Sequence, residues 1–187
     1  MKGYLFIVLS AFSYSLMAVF VKLAGYELAT VQIVFTRGVI TLFFTYLIIR
    51  KKKVYPLGKN HIVLIKRGVI GSVALYLVYE SLHRFSLPEA TVIQYLYPIF
   101  TALFASLLIS EKISGLLYFS IFSGLVGVYI ILDFPFLISN AISETNMMIA
   151  LSGAILTGLS YVMVRKAVTL KESPYVIMFY FPLFTVP

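Results

Sequence analysis

The chain has no cysteine, two histidines and only seven acidic residues among 187. Lack of cysteine excludes disulfides, zinc-thiolate centres and a thiol nucleophile. His61 and His83 fall on opposite sides of the membrane in the topology derived below, so they form no metal pair. No Gly-Lys-Ser/Thr phosphate-binding loop is present, so nothing points to ATP-driven pumping. Glu80 is the lone carboxylate at membrane depth, which leaves no paired acids for hydrolysis and no Gly-Asp or Ser-His arrangement for intramembrane proteolysis. The residues therefore argue against an enzyme, and they assign neither metal nor cofactor.

What the chain has is apolar length. With 61% hydrophobic residues and a mean hydropathy of +1.00, it has too little polar surface to clothe a water-soluble globule. Six runs, at about 3–24, 30–49, 68–87, 89–109, 113–132 and 147–164, approach the roughly 20 residues of a helical membrane span, and a seventh begins near Ser173. Helices satisfy their own backbone hydrogen bonds in lipid and open strands do not, so the expected fold is an all-α, multi-pass helical bundle with lipid around it. Gly25, Tyr55-Pro56-Leu57-Gly58, Pro88, Pro135 and Pro174 punctuate the connections. The first run follows Met1-Lys2, but its apolar core is longer than that of a secretion signal and no cleavage site is clear, so it counts as a span.

If successive helices alternate direction, 12 of the 15 basic residues fall on the N-terminal side. They are Lys2, Arg50 to Lys53, Lys59, Lys66, Arg67, Lys112, Arg165, Lys166 and Lys171, against Glu27, Arg84, Glu89, Asp133 and Glu144 on the other side. The positive-inside rule then places the N-terminus in the cytoplasm, in a plasma or inner membrane. The net charge of +8 is a topology signal and requires no nucleic acid.

The end of the first helix recurs at the end of the sixth. Val19-Phe20-Val21-Lys22-Leu23-Ala24 aligns with Val162-Met163-Val164-Arg165-Lys166-Ala167 at an offset of 143, and one extra residue aligns Ile33 and Phe35 with Ile177 and Phe179. Five helices separate the copies, an odd number, so the second copy is inverted as in secondary transporters. Residues 1–136 are then a first five-helix repeat and 147–187 the start of a second, and the chain is expected to be cut short.

Ala74-Leu75-Tyr76, Ser81-Leu82-His83-Arg84-Phe85-Ser86, Glu89-Ala90, Tyr95-Leu96-Tyr97-Pro98-Ile99-Phe100-Thr101-Ala102-Leu103 and Ser110-Glu111-Lys112 form a series that resembles the EamA-type family of the drug/metabolite transporter superfamily. Ser110 stands where the family pattern has glycine, and Gly124-Leu125-Val126-Gly127-Val128 resembles its Gly-rich fifth helix. Lys22 and Arg37 also resemble residues common at their places in the family. The resemblance implies two inverted five-helix repeats that move small metabolites or amino acids without ATP, by alternating access and in an exporter-like direction. It also implies a pathway lined by helices three and four. A scaffold that transports nothing, and a half-transporter completed by a homodimer, are the alternatives.

Arg37 is the costliest side chain to place. It lies seven residues into helix two, about 10 Å deep at about 1.5 Å per residue, so it should face protein or water. Glu80 sits at similar depth in helix three and is expected to pair with it, as a structural clamp or as part of a gate. Ser72, Tyr76, Tyr79, Glu80 and His83 share one face of helix three; Thr91, Gln94, Pro98 and Thr101, with Tyr97 beside them, share one face of helix four. The two stripes either line a water-accessible substrate cavity or bond between helices and line nothing. Pro98 is expected to bend helix four. Ser10, Ser13, Tyr14 and Met17 share a face of helix one, and Ser13 joins the cavity candidates. Ser120-xxx-Gly124 and Ser123-xxx-Gly127 suggest close packing by helix five, Lys22 is expected to snorkel to the headgroups, and Glu111 to cap helix five.

Overall fold

A stripe of small residues determines where the helices meet. A computed structural model describes residues 2–109, 115–131 and 143–186, and the described residues are helical with no strand among them. The helices are α1 (Lys2–Ala24), α2 (Thr30–Lys52), α3 (His61–Arg84), α4 (Leu87–Gln94), α5 (Tyr97–Ile109), α6 (Gly115–Ile131), α7 (Glu144–Thr169) and α8 (Pro174–Leu183). Four of them, together with α4 and α5 taken as one unit, are long and apolar enough to cross a membrane. The outer flanks of α1 and α2 expose Leu9, Phe12, Phe43 and Phe44, a surface that lipid covers. The chain is a multi-pass membrane protein.

α7 is the hub. Its Ala150, Gly153, Ala154 and Gly158 are buried at successive turns, and it packs chiefly against α3 and then α5. A Cβ at position 153 would lie 3.3 Å from the backbone nitrogen of Val78 in α3; one at 158 would lie 2.7 Å from Phe100 Cβ and 2.9 Å from the Thr101 nitrogen in α5. Backbones this close gain dispersion contacts that lipid cannot match, which is how helices associate where no hydrophobic drive exists. The sequence reading placed this packing on the fifth span instead. There, Gly124 makes only an ordinary contact with Ile99, and a Cβ at Gly127 would meet nothing within 4 Å among the described residues.

The fourth run is a broken helix. α4 stops at Gln94 and α5 resumes at Tyr97, because the Pro98 ring offers no N–H and collides with the carbonyl four residues back, that of Gln94. The chain crosses the break with tightened bonds, Leu96 N to Ile93 O at 3.1 Å and Ile99 N to Leu96 O at 3.0 Å. α4 begins at a cap in which Glu89 Oε2 accepts from the Ser86 N–H at 2.9 Å and from its hydroxyl at 2.6 Å. Glu111 and the ends of the fifth expected span, 113–114 and 132, lie outside the described residues.

At one face, the connection before α3 is held by the connection after α7. Glu172 Oε1 accepts from the backbone N–H of Lys59 at 2.9 Å, from that of Asn60 at 2.6 Å and from Asn60 Nδ2 at 2.7 Å. Tyr180 donates to Leu57 O at 2.9 Å beside it. Burial pushes the Glu172 carboxyl up, but the bonds from Asn60 and Lys59 and the charge of Lys59 prevail and hold it below the usual carboxylate range. At the other face, Lys22 Nζ donates to Phe85 O at 2.6 Å and to His83 O at 3.3 Å. Lys22 thus caps the end of α3, because that end brings unsatisfied carbonyls within reach of its stem, and it does not reach out to headgroups as expected.

Two outcomes follow. Gly158→Val should lower unfolding stability in detergent by about 1–3 kcal/mol through overpacking against α5, and an unchanged melting temperature would contradict the close approach. Because the folded Glu172 carboxyl titrates low, its contribution is present above the usual carboxylate value and is lost as pH falls through the depressed one. Glu172→Gln should therefore cost about 1–3 kcal/mol at neutral pH, and the gap from the parent should close as pH drops below about 4. A gap independent of pH would rule out the carboxylate cap.

Candidate functional site

The helices leave two adjoining cavities on the side of α7 that faces α1. The larger, about 560 Å³, lies among α1, α3, α4 and α7. The smaller, about 220 Å³, is reached by α2 and α8 as well. Tyr14, Val78, Gln94, Thr157 and Tyr161 line both. Gln94, at the break between α4 and α5, donates to Thr157 Oγ1 at 3.2 Å, and Thr157 returns its own hydroxyl to Gly153 O at 2.7 Å. Tyr97 stacks on Tyr161 with ring centres 5.2 Å apart. The wall is therefore aromatic and apolar with a few fixed polar groups, the usual makeup of a small-molecule site.

Two arginines enter the smaller cavity. Arg37 donates to the Tyr79 hydroxyl, and its guanidinium carbon lies 5.4 Å from the centre of that ring. Tyr79 is 1% exposed, so it is a fixed prop. Arg67 donates to Ser160 Oγ at 2.6 Å and lies 4.8 Å over the Phe181 ring, while its Nε is buried with no partner. Its guanidinium lies over Gly71, where any Cβ would collide with Nη1. Within the described residues, no group of three His, Asp or Glu could hold a metal ion.

The predicted residues do not all meet here. Tyr79, Gln94, Tyr97 and Arg37 line the cavities. Tyr76 and Ser72 instead border a separate groove of about 300 Å³ against α2 and the end of α8. Ser72 Oγ lies 2.8 Å from Thr185 Oγ1 there. Helix three turns Ser72 and Tyr76 toward α2 and the end of α8, and packs chiefly on α7. Thr101 spends its hydroxyl on Tyr97 O at 2.8 Å, and Pro98 is exposed and lines neither cavity. Ser13 is exposed and bonds back to Leu9 O at 2.8 Å, while its neighbours Ser10 and Tyr14 reach the larger cavity.

The expected Arg37–Glu80 pair is absent. Glu80 pairs one turn along its own helix with Arg84, at 2.7 Å, and accepts from the Thr30 hydroxyl. Arg84 also donates to Asn146 Oδ1 at 3.0 Å, so this cluster ties α2, α3 and α7 at the face where Lys22 caps α3. Equal depth did not produce a pair because Tyr79, one residue before Glu80, meets Arg37 first, and Glu80 has a cation within its own next turn.

Arg67 was read as part of the basic flank and missed as a site residue, since the apolar run begins only at Gly68. α3 starts at His61, and Arg67, Gly71, Ala74 and Val78 recur at helical spacing on one face, all lining the smaller cavity. That spacing was the available signal. Thr157, Ser160 and Tyr161 were also missed, because the sixth span is too evenly apolar for its inner face to stand out.

Arg37→Glu combined with Glu80→Arg should melt no higher than the sum of the two single effects allows, with a coupling below about 0.5 kcal/mol. A coupling of about 1 kcal/mol or more in detergent-solubilised protein would restore the direct pair.

Comparison with known proteins agrees with this architecture. Residues 1–133 match the model of the EamA-like transporter family. The chain is 28% identical over 180 residues to the pseudopaline exporter CntI of Pseudomonas aeruginosa, covering 96% of this chain and 62% of that protein. It is 36% identical over 140 residues to solute carrier family 35 member G1 of Homo sapiens, covering 72% of this chain and 37% of the relative. A Helicobacter pylori transporter is 32% identical over 167 residues, covering 87% and 55%. The chain thus spans less than two thirds of the length of these relatives. No solved structure matches. With the family model covering most of the chain and relatives named as an exporter, a solute carrier and a transporter, the chain belongs to the EamA-like transporter family of the drug/metabolite transporter superfamily.

Proposed function

We propose that the chain forms the first part of a secondary carrier that moves a small metabolite or amino acid by alternating access through the two cavities beside α7. One observation carries the reading. Tyr14 and Thr157, and Met17 and Ser160, stand at the repeat offset of 143 and line the smaller cavity; Arg37 and Phe181, at the offset of 144 that the extra residue produces, line it too. Residues that an inverted repeat relates thus converge on one space, as they do where a transporter binds its substrate between its halves. On this reading 1–136 is one repeat and 147–187 opens the second. The basic loops support an N-terminus on the cytoplasmic side, the membrane on this reading being a plasma or inner membrane, and the exporter name of the Pseudomonas relative supports outward movement.

Alternating access requires that each face close in turn. Two sets of ties are available for this. The Lys22, Thr30, Glu80, Arg84 and Asn146 contacts gather helix ends at one face, and Glu172 gathers two connections at the other.

The test is solute flux in cells or proteoliposomes that carry the protein. Gln94→Ala and Tyr161→Ala should each reduce flux at least about tenfold with normal membrane abundance, the loss expected when a polar or stacking contact to a bound solute is removed. Undiminished flux in both variants would remove the cavity from the pathway, and partner capture without any flux would replace the carrier with a scaffold.

A further inference from the structure

The two arginines carry a charge requirement that the described protein does not meet. Both guanidinium groups border a cavity of about 220 Å³. Among the described residues neither is paired with a carboxylate: Arg37 has the Tyr79 hydroxyl and ring, and Arg67 has Ser160 and the Phe181 ring. Among the described residues, no Asp or Glu lines either cavity. Glu80 is held by Arg84 and Thr30 at the helix ends, and Glu172 caps α3 at the opposite face. Charged side chains at membrane depth ordinarily pair, since an uncompensated cation in low dielectric is costly. Aromatic faces relieve part of that cost. They leave donors unspent, and among the described residues the buried Arg67 Nε has no acceptor.

We propose that the cavity takes an organic anion, whose carboxylate or phosphate lies between Arg37 and Arg67 and whose apolar or planar body extends into the larger cavity. The inference rests on the cavity being the substrate site and names the class of that substrate. Guanidinium is a planar fork of five donors that matches both anionic groups. Arg67 is set for this role: Gly71 leaves room for its guanidinium, and Ser160 fixes one of its nitrogens. The body has a complementary wall in the adjoining cavity of about 560 Å³, where Tyr97 stacks on Tyr161 and Val78, Leu82 and Phe6 supply apolar surface. Gln94 and Thr157 stand at the junction and can bond a polar group between the two ends.

Matched probe sets test this on the purified protein in detergent, with binding read by calorimetry. One set is phenylacetate, phenyl phosphate, phenylacetamide and phenethylamine; two more carry indolyl and hexyl bodies. At least one anion should bind about tenfold or more tighter than the amide of the same body, the gain expected of charge-assisted over neutral hydrogen bonds, and the amine should bind weakest. The carboxylate and phosphate arms decide which anion fits. Arg67→Gln and Arg37→Gln should each lower the affinity for the preferred anion about tenfold or more and narrow its margin over the amide of the same body. Arg67→Lys, which keeps the charge and loses the fork, should fall between. Amides that bind as well as the anions in every set, a preference for amines, or no binding by any probe would each overturn the proposal. Binding requires no flux, so the two readings fail separately. Anion binding without flux would remove the carrier and leave the anion site, and flux of neutral or cationic solutes alone would do the reverse.

Discussion

Everything in this fold depends on how closely α7 approaches α3 and α5. In lipid, burying a leucine gains nothing over leaving it among acyl chains, so helices hold together only where backbones come near enough for dense contact and for polar groups to bond. Gly153 and Gly158 provide that nearness. Once α7 lies in this position, it packs along α3, and α1 stands across from it. The space between α1 and α7 is the cavity. The same geometry brings Ser160 to Arg67 and Thr157 to Gln94, so the polar groups of the site are aligned by the packing that creates it.

The break in the fourth run serves the same end. An unbroken helix would bond the Gln94 carbonyl within its own ladder and carry its side chain past α7 at a fixed angle. With Pro98 in place, α4 ends at Gln94 and α5 restarts, so the amide and the Tyr97 ring both turn toward α7. Broken helices beside a cavity are tolerated in membranes because the freed groups find protein or water.

The sequence was most legible where one strong physical rule acts alone. Apolar length located the spans, and Pro98 located the break. The break lies upstream of the proline because the clash is with the carbonyl four residues earlier. Legibility fell where partners had to be chosen. Arg37 faces protein, as its depth requires, but its neighbour differs from the expected one: depth along two helices is readable, while the rotation that puts Tyr79 rather than Glu80 in front of it depends on packing. Ser13 and Ser10 illustrate the same limit, since a helical face wide enough to hold both does not say which of them looks inward. Arg67 was hidden for another reason. It lies just before the apolar run, in a stretch where basic residues usually mark topology, and only the helix start at His61 carries it inside.

The central claim is that the space beside α7 is a substrate path that opens to each side in turn. The absence of cysteine in this chain makes a direct measurement possible. A single cysteine placed at Thr157 and treated with a membrane-impermeant thiol reagent, first from one side and then from the other, should react from both. Adding transported solute should protect it in each case. Labelling from one side only, with no protection, would mean that the cavity is a fixed pocket and that the carrier account is wrong.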